Sequence, residues 1–376
     1  MYKFVKSFAL AAVLCSVCVP AFPQSTAALK NRLETLRRAL EPDGELAFST
    51  RTVLDTSDYI LNALTAPQTV LRSRIVKGKR LTARVRVPRI DVGKDADLVK
   101  DMVATLERGE DPFANRSGDM HLAFRSPADG SFQPFRLIVP YGFDRQKQYP
   151  LVVALHGASG NENTYPDRYV AGGNHDKLFE RLGRERGYIL VSPRRRKAPG
   201  GESAVDADVL ELIDRVSNMY PVRHDQVFLT GHSSGGMGTW QVGYKHPERF
   251  AGLAAVGSAF SAVPTMMDRM QINQFPTLPH MYVQGRLDRL STNAGARNLV
   301  SYLSPKLTNF VYKEFPDAHG TLGVTSMPTV FDFFDAIRDG RELMASDEVS
   351  KLPPPAARRT VSRKKLTKKP AAKRAA

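Results

Sequence analysis

From residue 118 onward the chain repeats one pattern: a short apolar run, then a longer stretch with helical periodicity. The runs are Leu151–Leu155, Ile189–Val191, Val227–Thr230, Leu253–Val256, Met281–Gln284 and Phe310–Lys313. Such brief runs suit strands covered on both faces. Their alternation with helices predicts a mostly parallel α/β sheet flanked by helices. Ahead of them, His121–Arg125 and Phe135–Val139 flank the turn residues Pro127–Gly130, which predicts an antiparallel hairpin at a sheet edge. A last helix is expected over Val330–Arg338.

The residues before 118 follow a different rhythm. Thr26–Leu40 carries apolar residues at helical spacing, and a second helix is expected over Ser57–Leu64. Leu81–Val87 alternates apolar with polar, as a half-exposed strand does. Ala96–Arg108 reads as a helix stopped by Gly109 and Pro112. No chemistry stands out here. Residues 25–118 are expected to form a partly helical accessory segment, either packed against the α/β domain (residues 119–340) or covering its mouth.

Composition changes the picture at both ends. Lys3 and Lys6 precede the apolar run Phe8–Val19 and then Pro20–Gln24, the layout of a secretory signal peptide over residues 1–24. The run is short for a membrane span. The expectation is export, to the periplasm or beyond. Both cysteines, Cys15 and Cys18, lie in this leader, so the mature chain would rely on neither disulfides nor thiol chemistry. The formal charge of +16 is concentrated at the other end: from Lys351 to Ala376 there are ten Lys and Arg residues and no acid. Residues 341–376 are expected to be a disordered basic tail, either a solvated extension or a non-specific grip on an anionic polymer or membrane surface. No specific nucleic-acid-binding module is present in the sequence.

Candidate chemistry centres on Val227–Gly238, where an apolar strand meets Gly231-His232-Ser233-Ser234-Gly235 and further glycines open a helix containing Met237, Trp240 and Tyr244. The pattern is that of a nucleophile elbow, in which a strand turns at once into a helix and leaves the Ser233 hydroxyl exposed at the corner. A serine hydroxyl needs a base, and the base needs a carboxylate to orient it. Three histidines follow Ser233: His246 near the end of the elbow helix, His280 at the amino end of a strand, and His319 on the loop after the last strand. His319 is therefore the expected base. Asp288, on the loop after Met281–Gln284, is the expected acid, and Asp317 is its rival. Backbone amides of Ser234 and of Ala158, in the loop His156–Gly160, are the expected oxyanion hole.

Three other groups bear on substrate or metal. Arg194–Lys197 puts four cations at a strand's carboxyl end, and Arg194 is the candidate contact for an anionic substrate. Met266 and Met267, with Met270, are candidates to line an adaptable apolar pocket. Glu202, Asp206 and Asp208 read as a solvated helix start; no metal site is assigned.

The stretches Asp129–Arg136, Tyr149–Gly157, Leu229–Trp240 and Asp317–Gly320 resemble secreted α/β-hydrolases of the polyhydroxybutyrate-depolymerase-like and feruloyl-esterase-like group. They are also similar to the catalytic domain of prolyl oligopeptidase-type peptidases. The resemblance spans about residues 119–340. It implies an α/β-hydrolase fold, the triad Ser233, Asp288 and His319, and no cofactor. The leading expectation is an exported serine hydrolase acting on an ester-bearing small molecule or polymer. A serine peptidase with the same triad, and a non-catalytic protein docking by its basic tail, are the alternatives.

Overall fold

The computed structural model describes residues 22–40, 47–65, 68–76, 79–87, 90–158, 160–168, 170–171, 176–196, 202–258 and 272–351. The leader, Met266, Met267 and the tail beyond Lys351 lie outside the described residues. In chain order the elements begin with α1 (Phe22–Leu40), α2 (Phe48–Thr65), β1 (Gln68–Val76), β2 (Lys79–Val87) and α3 (Val92–Glu107). The hairpin β3 (Gly118–Arg125) and β4 (Phe132–Val139) leads into β5 (Tyr149–Leu155). A small ribbon, β6 (Val170–Ala171) and β7 (Asp176–Lys177), precedes α4 (Leu178–Arg186), β8 (Ile189–Pro193), α5 (Glu202–Met219) and β9 (Val222–His232). Then come α6 (Ser234–Lys245), β10 (Gly252–Val256), β11 (His280–Gly285), α7 (Asn293–Leu303), β12 (Phe310–Phe315), α8 (His319–Thr325) and α9 (Met327–Arg338).

Among the described residues the main sheet has eight strands in the order β12-β11-β10-β9-β5-β8-β4-β3. All pairings from β8 to β12 are parallel, whereas β3, β4 and β8 pair antiparallel. The twofold alternation of a strand sends successive side chains to opposite layers. Leu151, Val153 and Leu155 pack in one cluster with α5 and the amino-terminal helices. Val152 and Ala154 pack in the other, with Phe179 of α4 and Phe331 and Phe334 of α9. Being buried on both faces, β5 and β9 require the near-continuous apolar runs that mark them in the sequence.

The amino-terminal segment is part of this core. Leu29, Leu33, Val53, Ile60, Val99 and Val103 share a cluster with Leu122, Phe124 and Leu151, so the segment packs against the sheet. Helix α2 begins well ahead of the expected Ser57. Its first turns are rich in hydroxyl residues whose helix propensity is low. Here Thr52 and Ser57 donate back to the carbonyls of Phe48 and Val53, which conceals their helical state from periodicity. The alternating stretch at Leu81–Val87 is the second half of a ribbon: β2 pairs antiparallel with β1, from Gln68 opposite Val87 to Val76 opposite Lys79.

Both edges of the main sheet are covered. At β3, the Ala123 amide donates to Thr56 Oγ1 (2.9 Å), Thr56 Oγ1 donates to the Ala123 carbonyl (3.2 Å), and the Arg125 amide donates to Asp55 (3.1 Å). At β12, the Tyr312 amide donates to Ser346 Oγ (3.0 Å), the Glu314 amide to Asp347 Oδ2 (2.8 Å), and the Asp347 amide to the Tyr312 carbonyl (2.8 Å). Residues 341–351, assigned to the disordered tail by composition, are therefore ordered up to Lys351 as a strap along the last strand. Its apolar contacts are few and irregularly spaced, Leu343, Met344 and Val349 against the core, and the rest is backbone and short polar groups, so no apolar periodicity marks it.

Candidate active site

Ser233 sits at the corner between β9 and α6 with φ 60° and ψ −123°. It is the one non-glycine residue with positive φ among those described. Such strain persists only where surrounding contacts over-determine it. Two glycines make the corner possible. A Cβ on Gly235 would lie 1.9 Å from the Leu155 carbonyl oxygen, and one on Gly231 would lie 2.3 Å from the Gly235 carbonyl oxygen. The backbone of α6 is thus pressed onto the end of β5, and the serine is pushed to the surface of the turn.

Three of the sequence-predicted residues meet there. The Ser233 hydroxyl lies 2.8 Å from His319 Nε2, and His319 Nδ1 lies 2.6 Å from Asp288 Oδ2. A carboxylate only accepts, so Nδ1 carries the proton and Nε2 accepts from Ser233. The Asp288 side chain is fully buried. Its second oxygen, Oδ1, accepts from the Leu290 and Ser291 amides at 2.8 and 2.9 Å, which fixes the carboxylate plane. Asp317 is engaged elsewhere, accepting from Thr321 and Thr325 hydroxyls at 3.0 and 2.7 Å within α8.

The loop holding Ala158 reaches the nucleophile: a Cβ on Gly157 would come within 3.3 Å of Ser233 Cβ. Ala158 itself is exposed. Ser234 opens α6, where first-turn amides lack helical acceptors. The Ser234 amide thus adjoins Ser233, and Ala158 follows Gly157 on the loop that reaches it. His280 is fully buried in β11, 2.5 Å from the Tyr244 hydroxyl, and burial lowers its pKa to about 3. It is a neutral core residue.

Three residues near the site had no individual role in the sequence reading. His156 is buried and joins two loops: its Nδ1 donates to the Gly157 carbonyl at 2.7 Å, and its Nε2 accepts from the Arg195 amide at 2.9 Å. Burial, with Arg195 and Arg194 nearby, lowers its pKa and keeps it neutral. A histidine at the end of a strand, just before a glycine-rich loop, was the available clue. His232 packs its ring against His319, centroids 4.7 Å apart. Burial, with His319 as its neighbour, pushes it down to about 4, so it is a neutral wall behind the base.

Arg195 is the third. Its guanidinium donates to Ser234 Oγ at 2.5 Å. Arg194, the expected substrate contact, is instead exposed, its amide bonded to the Pro134 carbonyl. Arg196 is consumed by ion pairs with Asp208 and Asp129, and Asp206 pairs with Lys245 at 2.7 Å. Asp206 and Asp208 of α5 are thereby neutralised by side chains of the fold. Adjacent residues leaving a strand point in different directions, so one position decides between solvent and site.

Comparison with known proteins agrees with the topology. Residues 151–318 match the family model described as the alpha/beta hydrolase fold. The chain has the α/β-hydrolase fold. The match runs from β5 to the residue before His319, covering the elbow and the acid loop. A curated relative, dipeptidyl-peptidase 5 of Porphyromonas gingivalis, is 27% identical to this chain over 145 residues, 35% of its length. The match spans only 20% of that relative's length. Among solved structures, the chain is similar to FphF, a fluorophosphonate-binding serine hydrolase of Staphylococcus aureus (20% identity, TM-score 0.49, covering 58% of this chain and 98% of that one). It is also similar to S-formylglutathione hydrolase of Staphylococcus aureus (20%, TM-score 0.48, 58% and 98%). A third is Est1E from Butyrivibrio proteoclasticus (15%, TM-score 0.43, 60% and 97%).

Proposed function

We propose that this chain is a serine hydrolase that cleaves carboxylic esters through an acyl-enzyme. The observation that carries the reading is the continuous hydrogen-bonded relay from Ser233 through His319 to the buried Asp288, set at a strained elbow. As Ser233 Oγ attacks the ester carbonyl, its proton passes to His319 Nε2. Asp288 holds the ring and stabilises the imidazolium. The carbonyl oxygen becomes an oxyanion, received by the amides of Ser234 and Ala158 and by the positive end of α6. The C–O bond then breaks, and His319 gives its proton to the departing oxygen. Water enters, loses a proton to His319 and attacks the acyl carbon. The acid leaves, and the proton returns to Ser233.

Ester cleavage asks less of these residues than amide cleavage, because an ester has less resonance to break and an alkoxide or phenolate is a better leaving group than an amine nitrogen. The matched stretch of the Porphyromonas peptidase favours a second reading, peptide hydrolysis by the same residues. Turnover of a p-nitrophenyl ester and of a dipeptide p-nitroanilide by the same preparation separates the two. A fluorophosphonate should label Ser233. Ser233→Ala should abolish the label and lower turnover by about three orders of magnitude or more. A folded protein with neither label nor turnover would end the proposal.

A further inference from the structure

Resting on the esterase reading, we propose that Arg195, with the Ser234 hydroxyl, forms a carboxylate-binding subsite beside the nucleophile, so that the preferred substrate is an ester bearing a carboxylate near the scissile bond. The loop that follows β8 brings Arg195 to the elbow, and its stem crosses α6 at Gly238, where an added Cβ would come 3.8 Å from Arg195 Cδ. Its backbone is tethered to the oxyanion loop through the His156 ring, so guanidinium and nucleophile are held in one frame.

Among the described residues no carboxylate pairs with Arg195, in contrast to its neighbour Arg196, which is paired with Asp208 and Asp129. Arg195 Nε is buried with no hydrogen-bond partner among the described residues. A half-buried guanidinium with one neutral acceptor bears a desolvation cost, and burial lowers its pKa accordingly. An incoming carboxylate offsets that cost, and guanidinium geometry suits carboxylates. Ser234 adds a second donor: its oxygen accepts from Arg195, which leaves its own proton to give to an anion. Because Ser234 directly follows Ser233, an anion held there lies within a few bonds of the carbonyl under attack.

The test compares matched esters, one member of each pair carrying a carboxylate. On the acyl side the pair is mono-p-nitrophenyl glutarate and p-nitrophenyl pentanoate. On the alcohol side it is 3-acetoxybenzoate and phenyl acetate. The proposal expects kcat/KM to favour the anionic member of at least one pair by about tenfold or more, the worth of a charge-assisted hydrogen bond. That ratio should collapse towards one in Arg195→Gln and be partly kept in Arg195→Lys, with the preference weakening as salt rises. Fluorophosphonate labelling of Ser233 in each variant verifies a folded, competent triad. No preference in either pair, or one that survives Arg195→Gln in a labelled protein, overturns the subsite. Absence of both label and neutral-ester turnover in the unmodified enzyme would instead overturn the esterase reading beneath it.

Discussion

Asp288 shows how much one side chain is asked to do. Its Oδ2 selects the His319 tautomer while its Oδ1 is held by two amides, so the group both orients and is oriented. Asp288→Asn keeps the shape but places an amide where an acceptor is needed. Turnover should fall by about four orders of magnitude, read as kcat with a p-nitrophenyl ester, while the fold persists by circular dichroism. A loss of less than tenfold would mean that Asp288 does not set the tautomer. Ser233, Asp288 and His319 were legible because chain order and loop position single them out. His156, His232 and Arg195 were not, since their parts depend on which way a ring or guanidinium points after a strand ends. Sequence spacing gives the position of a side chain but not its direction across a loop.

At the level of elements, α2 does more than cover apolar surface. Thr56 supplies both a donor and an acceptor to the outer edge of β3. Thr56→Val conserves volume and removes both bonds, leaving a buried amide without a partner. The expected cost is about 1–3 kcal/mol of unfolding free energy, measured by denaturant titration. A cost near zero would reduce α2 to an apolar lid on the sheet. The parallel strands were legible because burial on both faces demands unbroken apolar runs. The beginning of α2 was not, because a helix whose hydroxyls bond its own carbonyls follows neither apolar periodicity nor propensity. The carboxyl-terminal strap left even less trace. Ser346 and Asp347 act through polar contacts with one strand, and nothing in their composition separates them from a tail.

For the whole molecule, two devices limit the conditions it tolerates. His121 of β3 is buried with Asp95 at 2.9 Å, and Glu162 lies 3.6 Å away, so the cluster ties α3 to the stretch following the oxyanion loop. Burial alone would lower the His121 pKa, but the carboxylates outweigh it and raise it from 6.5 to about 9. The folded state therefore binds this proton more tightly than the unfolded chain. That stabilisation is complete below about pH 6.5 and fades as pH rises through 9. On the acid side, His232 and His280 have folded pKa values near 4 and 3, so stability should fall as pH drops below about 6.5 and the unfolded chain takes up protons first. Melting temperature should thus decline on both sides, and His121→Gln should flatten the alkaline limb at the expense of overall stability. An unchanged alkaline limb in that variant would assign it to other groups.

The second device is the strap along β12. Removing residues 341–376 exposes the backbone of an edge strand and should promote association, seen by light scattering, whereas removal of 352–376 should not. Equal behaviour of the two truncations would mean that the strap does not protect the edge. The strained backbone of Ser233 carries a further consequence. A φ of 60° at this serine is sustained only while Gly231, Gly235 and the end of β5 are locked together. Reactivity is thus a property of the assembled sheet, and an unfolded chain presents only an ordinary serine. On the proposed esterase reading, a fluorophosphonate then becomes a census: the labelled fraction of any preparation should count the molecules that have reached the native state.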